Sequence, residues 1–236
     1  MARKLKSDRV LFLATVLLVG LSIVMVYSAS AVVGFERFGR PSMYLIRQGM
    51  WATIGLAMLG LVMHIDYHAY REPVFIWTCL GVVGLALVVV LFSAPVNSAR
   101  RWFGVAGIGV QPSELAKLVA IFFVAAILER RMHRIDEVTY SLLPIGVVLA
   151  VLVTLILLEP DFGTAVSLSL IAAVMVFAAG LDYRYILGAA LAAMPAIYLL
   201  VMNTSYRRRR ILAFLNPWDD PLGSGFQVVQ SLIAVG

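Results

Sequence analysis

Residues 10–31 read VLFLATVLLVGLSIVMVYSASA, with no charged side chain among them. A run of that length, coiled as a helix at about 1.5 Å per residue, crosses the hydrocarbon core of a bilayer. The basic start, MARKLKSDR at 1–9, gives it a superficial likeness to a signal peptide. The apolar part is too long for that, and further apolar runs follow, so it reads as an uncleaved first span. Working outward, six more runs lie at about 43–65, 73–94, 113–129, 142–158, 163–181 and 184–203, and a loop is expected from 204 onward. Backbone polar groups in lipid must be satisfied within their own segment, so each run is expected to be a helix. The fold class is therefore an all-α polytopic membrane protein with about seven transmembrane helices, in a single integral-membrane domain over 1–236. Pro144 and Pro195 are expected to kink their helices or open a local gap.

Composition agrees. Of the 236 residues, 62% are hydrophobic and 14% charged, which excludes a soluble globular domain and a disordered chain. The lone Cys79 sits in an apolar run; it makes no intrachain disulfide and reads as a small buried hydrophobe. The net charge of +6 does not call for nucleic acid, because short basic loops are the rule in membrane proteins. Arg3, Lys4, Lys6 and Arg9 precede the first span, and Arg130, Arg131 and Arg134 follow the fourth. The span count puts both groups on one side, expected to be cytoplasmic. Arg37, Arg40, Arg100, Arg101 and the run Arg207–Arg210 then fall outside, against the usual bias, and need a reason.

Three segments between spans could carry chemistry. The first runs from Asn97-Ser-Ala-Arg-Arg-Trp-Phe-Gly104 to Gln111-Pro-Ser-Glu114 and Lys117. Pro112 suits a first helical turn, Glu114 the positive end of the helix dipole, and Lys117 lies three residues on from Glu114, on the same face. A capped helix with a snorkelling lysine and an interfacial Trp102 reads it equally well. So does a groove in which Lys117 and the arginines face an anionic headgroup. The second segment is Glu159-Pro-Asp-Phe-Gly-Thr164. Asp161 can simply cap the next helix. Two carboxylates at a membrane boundary are nevertheless costly unless paired or solvated, which makes them a candidate site. The third is Tyr206-Arg-Arg-Arg-Arg210, leading into Asn216-Pro-Trp-Asp-Asp-Pro221 and Gly223-Ser-Gly-Phe-Gln227. Four arginines in a row are either a basic loop or a clamp whose planar forks match phosphate oxygens. Arg47 and Gln48 give a weaker hint, and His64, His68 and His133 have no metal-ligand spacing.

Taken in order and on the edges of these spans, Ala99-Arg-Arg-Trp102, Gln111-Pro-Ser-Glu-Leu-Ala-Lys117, Glu159-Pro-Asp-Phe-Gly-Thr164, Tyr206–Arg210, Asn216–Pro221 and Gly223–Gln227 resemble the SEDS family (shape, elongation, division, sporulation). The Asn-Pro-Trp-Asp-Asp-Pro form is similar to the division branch rather than the elongation branch. The resemblance implies a fold of about ten helices, of which about seven are present, so the chain reads as an N-terminal fragment. It implies a peptidoglycan glycosyltransferase that polymerises lipid II, an undecaprenyl-diphosphate disaccharide-pentapeptide, on the outer face of the cytoplasmic membrane at the division septum. It assigns Arg207, Arg209, Arg210 and Lys117 to the diphosphate and Arg101 and Trp102 to the groove. Glu114 and Asp161 would orient the cations or hold the helix ends. The catalytic aspartate is expected beyond residue 236. A class B penicillin-binding protein and other divisome membrane proteins are the implied partners. No cofactor motif is evident, and a divalent cation on the diphosphate stays open. A lipid II flippase and a non-catalytic divisome scaffold are the rival readings.

Overall fold

The computed structural model describes residues 8–93, 100–105, 108–134 and 137–235. Residues 97–99 of the first candidate segment, and Arg3, Lys4 and Lys6, lie outside the described residues. The chain forms two compact units, one up to residue 75 and one from residue 76.

The first unit is a helical hairpin of α1 (Arg9–Phe38) and α2 (Met43–Val62), followed by a short 3-10 turn at Tyr67–Arg71. Asp8 starts α1 by accepting from the amides of Val10 (2.9 Å) and Leu11 (3.1 Å). The helix runs on to Phe38, past the end expected near residue 31, because hydropathy does not stop a helix and Gly39 does. Gly39 adopts φ 65°, and its N–H returns to the Phe35 carbonyl at 2.9 Å. The link to α2 is tight. A Cβ on Gly34 would stand 3.1 Å from the Arg40 carbonyl oxygen, and Phe38 meets Tyr44 edge-on at 5.9 Å. Hydroxyls inside the spans bond back to their own helix, as Ser22 does to the Val19 carbonyl (2.8 Å) and Thr53 to that of Gly49 (2.8 Å). In lipid no water would satisfy them.

The second unit takes up the chain within the first turn of α3 (Pro73–Val90). A two-stranded antiparallel hairpin follows, β1 (Phe103–Val105) against β2 (Ile108–Val110), with Gly104 opposite Gly109. Then come α4 (Pro112–Arg131), α5 (Leu143–Leu158, led in by a π-helical turn), α6 (Phe162–Ala178), α7 (Tyr183–Met202), α8 (Ser205–Leu215) and α9 (Phe226–Val235). The core is built by Val83 and Leu87 of α3, Ala116 and Ala120 of α4, Leu152 and Ile156 of α5, and Ala165 and Leu168 of α6. Alanines one turn apart let α4 lie close to its neighbours. Pro144 falls in the first turn of α5, where its missing N–H costs nothing, and α7 continues through Pro195.

Five helices are long and apolar enough to cross a membrane: α1, α2, α3, α5 with its lead-in turn, and α7. α4 has the length but carries Glu114, Lys117, Glu129, Arg130 and Arg131 toward its ends, with an apolar middle. α6 is a 17-residue apolar helix, about 25 Å long. The segment expected as a loop from 204 is instead largely helical. α8 and α9 occupy it, because 205–215 contain no proline or glycine and arginine is a good helix former.

Candidate functional site

Gln111 precedes α4 in an extended conformation, and Pro112 opens the helix. The Gln111 side chain does not cap its own helix. Its Nε2 donates to Asp161 Oδ2 at 2.6 Å and to Ser113 Oγ at 2.8 Å. Asp161 is the N-cap of α6: the Thr164 amide donates to its Oδ1 (3.3 Å) and the Thr164 hydroxyl to its Oδ2 (2.8 Å). Arg101 Nη1 approaches Asp161 Oδ1 at 3.9 Å, an ion pair too long for a hydrogen bond. The first two candidate segments therefore meet on one buried carboxylate, which is both a cap and an ion-pair partner. Asp161 is 6% exposed.

Glu159 closes α5, two residues before Asp161, and is fully buried. Neither of its carboxyl oxygens has a hydrogen-bond partner among the described residues, and nor does Arg101 Nε. An ionised carboxyl here would be desolvated and would sit at the negative end of the α5 dipole. Burial first, and then the negative charge of Asp161, push its titration up to about 7, with Arg101 opposing. Two carboxyls in one turn thus differ. Asp161 is held by three donors, whereas Glu159 is held by none.

Trp102 lies over the backbone of Gly109, where an added Cβ would stand 3.0 Å from the indole and would push the ring back. Glu114 and Lys117 pair with each other at 2.9 Å, in the first turns of α4. Glu114 is exposed and Lys117 half-buried, so the pair is open to solvent on one side and contributes roughly a few tenths of a kcal/mol.

The four arginines of α8 do not form one clamp. Successive helical residues point about 100° apart, and the run is spread accordingly. Arg207 Nη1 donates to the Leu200 carbonyl at 2.9 Å, and its guanidinium lies 5.3 Å from the centre of the Phe162 ring, beside Asp161. Arg208 faces a cleft of about 410 Å³ with Tyr198, Met202 and Ile211. Arg209 and Arg210 line another of about 500 Å³ with Asp220, Ser224 and Gln227. There the amide and hydroxyl of Ser224 hold the Asp220 carboxyl below the usual carboxylate range, with Arg209 adding to the effect. Of the residues expected to act together, Arg101, Asp161 and Arg207 gather at the start of α6. Trp102 follows Arg101 in the chain, Glu114 and Lys117 satisfy each other, and Arg209 and Arg210 belong to a different cleft.

Sequence reasoning quoted Gln111 and Thr164 only as parts of motifs and did not foresee their bonds to Asp161, and it gave Glu159 no role once the motifs were assigned. Only Glu159 carried a signal, as a second carboxylate at a membrane boundary. Among the described residues, no three His, Cys, Asp or Glu side chains converge as a protein-built metal site would need.

These features define a class: a polytopic helical membrane protein that gathers charged side chains at one end of a helix bundle. The chain belongs to the cell cycle protein family of FtsW, RodA and SpoVE, whose model matches residues 8–236. It is 39% identical over 234 residues to a Geobacter sulfurreducens protein named "Probable peptidoglycan glycosyltransferase FtsW", covering 98% of this chain and 62% of that one. It is 35% identical over 240 residues to stage V sporulation protein E of Bacillus subtilis, covering 99% of this chain and 64% of that one. Among solved structures, it resembles a chain of a peptidoglycan synthase complex that coordinates polymerization and crosslinking. The TM-score is 0.66 and the identity 31%, over 92% of this chain and 65% of that one. Thermus thermophilus RodA matches with a TM-score of 0.58 and 30% identity, over 76% of this chain and 58% of that one. The chain therefore spans a little under two thirds of the length of these relatives.

Proposed function

We propose that this chain is the substrate-holding part of a peptidoglycan glycosyltransferase that polymerises lipid II on the outer face of the cytoplasmic membrane during septal wall synthesis. The observation that carries this reading is the junction of Arg101, Gln111 and Asp161, joined by Arg207 over Phe162. It fixes cations at a helix end, where a lipid's phosphates would lie. In the reaction the acceptor's sugar hydroxyl attacks the donor's anomeric carbon. The bond to the diphosphate oxygen breaks, and the diphosphate leaves with the electron pair. A carboxylate base, placed beyond residue 236, takes the hydroxyl proton.

Arg101 and Arg207 would stabilise the departing charge, while Arg209 and Arg210 line a separate cleft and Lys117 is paired with Glu114. Trp102 would form a wall for the sugar or prenyl part. Glu114 and Asp161 would hold the cations in place. A divalent cation, if used, would ride on the diphosphate itself. The N-terminus is then cytoplasmic, and the outer arginines no longer break the orientation rule. A class B penicillin-binding protein is the proposed partner, along with other divisome membrane proteins, and nucleic acid is not.

The test is lipid II polymerisation by this chain, reconstituted with its cognate transpeptidase whose own active site is blocked. The same assay on a version extended past residue 236 completes it. Glycan polymer only with the extension is the expected result. Polymer from neither would overturn the reading. Movement of intact lipid II across the bilayer without polymer would favour the flippase, and transpeptidase binding alone would favour the scaffold.

A further inference from the structure

Glu159 has no part in the reading above, yet it is the buried titratable group nearest the site. The charge of one guanidinium, that of Arg101, acts on both carboxyls of this turn. The guanidinium lies 3.9 Å from Asp161, and among the described residues its buried Nε and both buried Glu159 oxygens have no hydrogen-bond partner. A buried donor on the partner of Asp161 and a buried acceptor two residues from Asp161 are thus both left unsatisfied among the described residues. That arrangement is stable only while Glu159 carries a proton. An ionised Glu159, with no other donor among the described residues, would draw the guanidinium to itself, because an unpaired buried charge is costly.

The charged groups around Glu159 are few. Asp161 comes from its own turn, Arg101 from the segment before β1, and Arg207 reaches from α8 over Phe162. Glu114 and Lys117 of α4 neutralise each other, and α3 carries no charged residue.

We infer that Glu159 is a proton-operated switch on Arg101: protonated, it leaves the guanidinium free for the phosphate oxygens of an anionic headgroup, and ionised, it competes with that headgroup for the same cation. Glu159 is a positioning residue, acting through Arg101 and not on the ligand. The inference deepens the functional reading and rests on its placing of Arg101 at the phosphate end of the substrate. Linkage requires the converse as well. An anion arriving at Arg101 adds negative charge beside Glu159, so binding is accompanied by proton uptake in the neutral range.

The test is calorimetric titration of the chain in lipid nanodiscs with farnesyl diphosphate, at roughly pH 6 and roughly pH 8, in two buffers of different ionisation heat. The wild-type chain, Glu159→Gln and Arg101→Met are compared. The ligand's own ionisation affects all three alike, and Glu159→Gln subtracts it. The expected result is a wild-type affinity that falls about fivefold more than that of Glu159→Gln between the two pH values, the factor that one unit of pKa displacement gives over this interval. Buffer-dependent proton uptake near neutrality should occur in wild type and vanish in Glu159→Gln.

Diphosphate binding in wild type with the same pH profile and the same proton count as Glu159→Gln would overturn the switch and leave the functional reading standing. Absence of wild-type binding, or unchanged binding by Arg101→Met, would overturn the placing of Arg101 at the phosphate and the switch with it. Should Glu159→Gln unfold, the infrared carbonyl band of the buried Glu159 acid is followed in wild type with and without farnesyl diphosphate: a band that persists to higher pH with the ligand supports the switch, and one that does not move overturns it.

Discussion

Replacing Glu159 by glutamine should make the chain more stable, and only above a particular pH. The side chain keeps nearly its shape and loses its charge. Unfolded, the carboxyl titrates near its ordinary value of 4.5; folded, it titrates at about 7. Below the lower value both states hold the proton and the site costs nothing. As pH rises through the interval, the folded chain must either keep a proton the unfolded chain has lost or ionise a desolvated group. Above the upper value the full cost is present. The stability that Glu159 permits at low pH is therefore lost as pH rises.

The displacement corresponds to about 3 kcal/mol at most. The neighbouring Arg101 is one third exposed, so solvent reaches one side of the site, and about 2 kcal/mol is the working figure. For a chain of this size that is about 4–8 °C in melting temperature. Melts of wild type and Glu159→Gln in lipid nanodiscs, followed by circular dichroism from roughly pH 4 to pH 9, should coincide at the acid end. They should separate to the full difference by roughly pH 8. Coincident curves at the alkaline end, or a gap that closes as pH rises, would refute the reasoning.

Asp161→Asn keeps an oxygen for Thr164 but discards the charge. It should cost about 1–2 kcal/mol in unfolding. It should also lower the pH at which the infrared band of the Glu159 acid disappears, since Asp161 is one of the groups that raise it. Gly225→Ala places a Cβ on the carbonyl of Pro217 and should displace the start of α9 at about 1–3 kcal/mol, seen as faster proteolysis within 216–226. Gly39→Ala forces a side chain into φ 65° and should lower stability by about 1 kcal/mol in a denaturant titration. Arg207→Lys keeps the charge but gives up the flat contact with Phe162 and the directed bond to Leu200. Diphosphate affinity should drop about tenfold, measured by calorimetry, because the ammonium has no fork to offer two oxygens.

The bundle was legible because a bilayer permits few ways of satisfying a backbone, so an uncharged run such as 10–31 has essentially one reading. Its ends were less legible. Lipid sets where a span begins to be apolar, but α1 stops at Gly39, where the backbone turns left-handed, well after Glu36 and Arg37 have left the apolar run. The helix at 205–215 was hidden by its charge, since a basic stretch outside a span suggests a loop while its residues individually favour helix. Within the site, Asp161 could be read as a cap or as an ion-pair partner, and it is both. The contact from Gln111 to Asp161 joins positions fifty residues apart, and neither segment alone announces it. Sequence also showed two carboxylates in one turn without saying which would be dry. That depends on where the donors lie, and they all lie around Asp161.

The coiling of α8 has a consequence for how relatives of this chain can change. Deleting one residue between Thr204 and Arg207 would alter neither the charge of the segment nor its arginine content, yet it would turn each following side chain by about 100°. The guanidinium now beside Phe162 would swing away, and a different arginine would inherit some part of its place. A count of arginines would see two equivalent sequences, whereas the neighbouring carboxylates would meet two different patterns of charge. What must be inherited here is phase, and the run of four gives it tolerance at one end only: after such a deletion the next arginine takes the place beside Phe162, but Ile211 takes that of Arg210.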